Sequence, residues 1–206
     1  MRKIVLTAAL LALAACGGPA EPVWAPDAEV QRRAYFHDGP PSLTLYTVVS
    51  SKNDSGAHTG LLVNGSQRVL FDPAGSFRLP FSPERNDVHF GITDQVEKVY
   101  VDYHARETFD VIRQEIVVSP EVAEMALREV QSYGAVPKAQ CSLAISRVLS
   151  RLPGFEGFPR SYFPKTAMKA FAERGAGPGA RISDDDADEN HGILIQASQG
   201  AAQPPG

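Results

Sequence analysis

The sequence predicts an α+β domain in which an antiparallel sheet is packed with helices. Three observations lead there. The first third is dominated by β-branched, apolar segments divided by turn residues. The later half carries segments with helical period, opened by capping residues and closed by glycine or proline. The order is strands first and helices afterwards, without the steady strand–helix alternation of a parallel sheet.

The elements follow in order. Residues 42–51 (SLTLYTVVSS) form a strand with Leu43, Leu45, Thr47 and Val49 on one face, and residues 52–56 (KNDSG) carry turn chemistry. Residues 57–63 (AHTGLLV) and 68–72 (RVLFD) flank Asn64-Gly65-Ser66-Gln67, a hairpin signal. Residues 73–95 contain Pro73, Pro80 and Pro83 and no sustained period, which predicts a long irregular connection. Residues 96–101 (VEKVYV) and 108–118 (TFDVIRQEIVV) read as two further strands, the second with room for a bulge. Ser119-Pro120 then predicts a helix start, serine as N-cap and proline at the first helical position. Val122, Met125, Ala126 and Val130 keep its period up to Gly134. A second helix runs from about residues 138–140 to Leu152, with Cys141, Ile145, Val148 and Leu152 on one stripe and Pro153-Gly154 as its stop. A short third helix is expected over 165–174. The folded domain therefore spans 42–174. Residues 16–41, with five prolines, read as a flexible tether, and residues 175–206, with the acidic run Asp184-Asp185-Asp186, as a disordered tail.

Composition excludes several classes. The net charge of −4 is unexceptional, and no basic stripe or run points to nucleic acid. No cofactor motif is present. Asp102, His104 and Glu107 are close in sequence, but their spacing fits no established metal motif, so neither a metal nor a cofactor is expected.

The N-terminus is more specific. Arg2 and Lys3 precede an uncharged run over 4–15, too short to cross a hydrocarbon core of roughly 30 Å as a helix. It fits the apolar region of a cleaved signal. Leu13-Ala14-Ala15-Cys16 resembles the lipobox of bacterial lipoproteins. That resemblance implies that residues 1–15 are a signal peptide and that Cys16 becomes the lipid-bearing N-terminus. It also implies, through Gly17 in place of aspartate, an outer-membrane anchor facing the periplasm. An ordinary signal with an incidental cysteine is the alternative. The chain has two cysteines. If Cys16 carries lipid, Cys141 has no partner within the chain. Such a cysteine is buried and inert, intermolecular, or reactive; on composition alone the first is the commoner outcome.

Cys141 sits in the first turn of its helix. A thiol is nucleophilic only as thiolate, and a helix N-terminus beside a histidine lowers its pKa because unpaired N–H groups and an imidazolium both stabilise the anion. His58 is the candidate for that imidazole, provided its strand runs beside the helix. The AHTGLLV-turn-RVLFD hairpin and the Gln140-Cys141-Ser142 helix opening resemble circularly permuted papain-like (NlpC-type) proteins, a superfamily that includes relatives of lecithin retinol acyltransferase. The match covers roughly 42–152, with glutamine at 140 where asparagine is common. The resemblance implies a permuted papain-like arrangement, a Cys141 nucleophile, a His58 base and a third polar residue on the following strand. Asp72 is the candidate for that third residue, and a turn carboxylate before Pro73-Ala74-Gly75 is its alternative role. Asp87 and His89 are next in line. His104 reads as an exposed strand end, and His37 and His191 fall in the terminal segments. Two functions follow: a membrane-anchored cysteine hydrolase or acyltransferase acting on peptidoglycan peptides or on lipid, or a non-catalytic envelope lipoprotein that binds peptide, lipid or a protein partner.

Overall fold

The computed structural model of the chain describes residues 18–202. The signal segment and Cys16 lie outside the described residues. The fold grows from one hairpin. Strand β1 (Ser42–Ser50) pairs antiparallel with β2 (Gly56–Asn64), from Ser42↔Asn64 to Val48↔His58, with an irregularity between Val48 and Val49. After the Asn64-Gly65-Ser66-Gln67 turn, β3 (Arg68–Phe71) returns along the far half of β2 only, from Leu61↔Phe71 to Asn64↔Arg68. The connection after β3 contributes β4 (Glu84–Arg85) and β5 (Val88–Phe90), and β6 (Phe109–Val117) lines the other edge of β1 along its whole length. With β7 (Ala180–Ile182) the sheet has seven strands in the order β4-β5-β3-β2-β1-β6-β7, and every pair is antiparallel.

Helices cover both faces of this sheet. Along β1, β2 and β3, Leu43, Leu45, Leu61, Val63, Val69 and Phe71 point to one core, shared with helices α3 (Pro120–Gln131), α4 (Cys141–Leu149) and α5 (Pro164–Phe171). The alternate residues Tyr46, Val48, Leu62 and Leu70 point to a second core, shared with α2 (Asp94–His104) and the terminal α6 (His191–Ala202). The central strands are thus buried on both sides, which is why they read as continuous apolar runs. No helix among the described residues is long and apolar enough to cross a membrane.

Several expectations are corrected. Residues 96–101 are not a strand but the middle of α2. Thr93 caps that helix, its Oγ accepting from Val96 N–H at 3.2 Å, and Val96, Val99, Tyr100 and Tyr103 form its buried stripe. Their spacing of three, one and three is helical; the density of valine and tyrosine masked it. The 73–95 connection holds two short strands. In β6 the pairing with β1 is unbroken, so the bulge lies elsewhere, between Val48 and Val49.

Among the described residues, both terminal segments carry secondary structure. Trp24 bridges to Arg85, and Asp27–Arg33 form helix α1. The tail expected to be disordered adds β7 to the edge of β6, and Arg181 pairs with Asp110 and Asp54. Its acidic run is tied down as well: Asp186 pairs with Arg106, and Asp188 accepts from Thr108 Oγ1–H at 2.8 Å. Ile193, Leu194 and Ala197 of α6 pack on the second core. A few ion pairs and three apolar side chains order a segment whose composition alone carries no amphipathic period.

Candidate active site

Because β3 pairs with β2 only as far as Leu61, residues 56–60 of β2 have no strand partner on that edge. Three site residues meet in this gap. His58 lies on the β2 face that carries Leu62 toward the second core. Asp72 immediately follows β3 and is fully buried. Cys141 is the first residue of α4, which packs on the opposite face of the sheet. The helix begins there because Ala139 takes a left-handed φ of 64°, so residues 137–140 turn before helical pairing starts. The thiol is thereby brought to the sheet's end, where the backbone N–H groups of Thr59 and Ser142 and the His58 ring surround it.

Asp72 Oδ1 lies 2.7 Å from His58 Nε2 and accepts from Tyr100 O–H at 2.9 Å. With Nε2 taken by the carboxylate, Nδ1 is the His58 nitrogen left for Cys141. Two glycines make room for Asp72. A Cβ on Gly60 would stand 2.2 Å from the Tyr100 hydroxyl oxygen, and one on Gly75 would stand 1.7 Å from Asp72 Oδ2.

The electrostatics follow from these contacts. Burial works against a charged His58, yet the charge and hydrogen bond of Asp72, joined by Cys141, raise its pKa to about 10. Burial likewise opposes ionised Asp72, and His58 outweighs it, holding the carboxyl well below the usual range. For Cys141 burial raises the thiol pKa, while hydrogen bonding and charge from His58 and the N–H groups of Thr59 and Ser142 lower it further, for a net depression. The charged forms of Cys141 and His58 stabilise each other, and their titrations belong to the pair. Cys141 itself is 7% exposed.

The structure brings together His58, Asp72 and Cys141. The backbone carbonyl of Asp72 also accepts from Gly75 N–H at 3.0 Å, so the residue closes a turn while its side chain holds the histidine. Sequence reasoning missed Tyr100 and misplaced His104. His104 is no exposed strand end. It closes α2, donates Nδ1–H to Tyr100 O at 2.9 Å, and stacks on His58 with centroids 5.5 Å apart and planes 8° from parallel. Burial pushes its pKa down to about 4. A helical reading of 96–104 would have set Tyr100 and His104 four residues apart on one stripe.

His89 is fully buried against Phe77 and makes no contact with His58 of the kind His104 makes. Asp87 serves as a buttress, its carbonyl accepting from Asp72 N–H and its Oδ2 from Val136 N–H at 2.7 Å.

His58, Asp72 and His104 place ligand atoms within 4.8 Å of one another. Two of these groups already bond each other, His58 Nε2 and Asp72 Oδ1 at 2.7 Å. Asp102 turns to Arg106 instead of His104. A cleft of about 350 Å³ opens on His58 and His104, lined also by Gly75, Ser76, Tyr103 and Asp188.

Comparison of the chain with protein-family models, with characterised proteins and with solved structures returns no match.

Proposed function

We propose that this chain is a cysteine-dependent amide or ester hydrolase, or an acyltransferase, anchored in the bacterial cell envelope by lipid on Cys16. The observation that carries the reading is the 2.7 Å His58–Asp72 pair turned toward the only other cysteine, at a helix N-terminus. The order of histidine strand, acidic residue and late cysteine helix agrees with a permuted papain-like arrangement. In the reaction, Cys141 Sγ attacks the acyl carbon, and His58 delivers its proton to the departing amine or alcohol, leaving a thioester. Water or an acceptor alcohol or amine then gives its proton to His58 and attacks the thioester, and the C–S bond breaks. Backbone N–H groups opening α4 favour the oxyanion of each step. The substrate is an acyl bond of the envelope, in a peptidoglycan peptide or a lipid, and an outer-membrane anchor would place the domain on the periplasmic side.

The low exposure of Cys141 favours the second reading, a binding lipoprotein with an inert thiol. One experiment separates the two. In a Cys16→Ser domain Cys141 is the only thiol, so iodoacetamide alkylation reports on it alone. A free thiol titrates near about 8.5. The expected apparent pKa lies below that. His58→Ala should raise it, and Asp72→Asn should raise it less, because the imidazole remains but loses its carboxylate. A thiol that reacts only after denaturation would replace the enzyme by the binding protein.

A further inference from the structure

Each residue of the site is one step from a surface element of a particular kind. Lys138, just ahead of Cys141, donates its backbone N–H to Gly18 O at 3.2 Å, and its ammonium pairs with Glu21 at 3.1 Å. Asp72 N–H bonds Asp87 O, and the adjoining Asn86 N–H bonds Val23 O at 2.9 Å, beside Trp24 with its Arg85 cation over the ring. On the His58 side, Gly56 lies against Pro164, directly after Tyr162 and Phe163. These neighbours are large and bare: Trp24 is 64% exposed, Tyr162 57% and Phe163 73%. From Gly18 to Trp24 the chain is therefore laid along the domain, past Lys138 ahead of α4 and along β4. Cys16 precedes Gly18 by two residues, a reach of about 7 Å at full extension.

We propose that this end of the molecule is a bilayer-contacting face. The lipid on Cys16 enters the membrane beside the approach to α4. Trp24 on one flank, and Tyr162 and Phe163 on the other, settle at the level of the phospholipid head groups, where amphipathic aromatic rings partition. A single acyl chain binds a membrane only marginally and several hold a protein there firmly, and added apolar contacts fix which side faces it. The end of the sheet that carries the Cys141–His58 pair then lies toward the head-group layer. The inference rests on the proposed lipidation of Cys16.

Trp24 is the only tryptophan of the chain, so its emission is a site-specific reporter. The lipidated protein is placed in phosphatidylcholine–phosphatidylglycerol vesicles with brominated acyl chains. Trp24 emission should fall relative to unbrominated vesicles. In a Trp24→Phe background, Phe163→Trp moves the reporter to the other flank, and Tyr162→Trp provides a second position if the first variant folds poorly. Quenching at 163 or 162 as well as at 24 supports the face. Vesicle-bound, lipidated protein with undiminished emission from both of those positions overturns it. A protein that carries no acyl mass and does not float with vesicles overturns it together with the lipid anchor. Neither outcome depends on catalysis, so the alkylation result stands apart.

Discussion

Three histidines surround the Asp72 carboxylate, and their contacts sort their protonation. His58, hydrogen-bonded to it, is held protonated up to about 10. His104 and His89, without that bond, are pushed down to about 4 by burial. His89 is fully buried, and both its ring nitrogens lack a hydrogen-bond partner among the described residues. Because its folded pKa lies below the unfolded value of about 6.5, the unfolded chain binds the extra proton between those limits. Stability therefore falls as pH drops from 6.5 toward 4, by ~3 kcal/mol for such a group. His89→Phe should flatten the loss of Tm across this window, with His104 still contributing its share. An unchanged acid slope in thermal melts would show that the burden lies on another group. His58 acts in the opposite sense: its contribution is complete below 6.5 and is lost as pH rises through about 10. Cys141, His58 and Asp72 were legible because each sits at a diagnostic place, a helix start, a strand interior and a strand end. His104 was not, because its role exists only once residue 104 ends a helix.

Helix α2 shows what local composition conceals. Three valines and two tyrosines within 96–103 look like strand material, yet four of those five side chains are buried against the sheet at helical spacing. Tertiary burial overrides the β propensity. The same helix supplies Tyr100, whose hydroxyl reaches Asp72 only because residue 60 of β2 has no side chain. Gly60→Ala should cost about 1–3 kcal/mol through forced displacement of the Tyr100 ring. It should also raise the alkylation pKa of Cys141 by loosening Asp72. Thermal melts and the alkylation profile on one preparation check both effects; a stable variant with an unchanged profile would mean that Tyr100 does not set the carboxylate. The hairpin of β2 and β3 and helices α3 and α4 were readable, since period, cap and turn agreed there. The two-residue strand β4 and three-residue strand β5 were not, as strands this short exist through their neighbours.

At the scale of the molecule, the sheet is finished by the tail. Strand β7 pairs with β6 through Val111↔Ile182, Ile112↔Arg181 and Arg113↔Ala180, and α6 sets Ile193 and Leu194 against the second core. Truncation after Arg174 should therefore lower Tm by several degrees in one cooperative transition, since ~1 kcal/mol moves a chain of this size by about 2–4 °C. An unshifted melt would return the tail to the disordered state its composition suggests. The α+β class and the antiparallel sheet were legible in the order of segments. The second layer of helices was not, because it depends on residues 94–104 and on a tail with little apolar content.

The gap left by the short β3 has one more consequence. The thiol is carried by the layer on one side of the sheet, and its imidazole is oriented by the layer on the other. Neither layer alone holds the pair, so the centre acts as a gauge of how the two slabs are seated. A cavity made in either core, at Ile145 on one side or Val99 on the other, would be felt as a change in thiol reactivity before the chain comes apart.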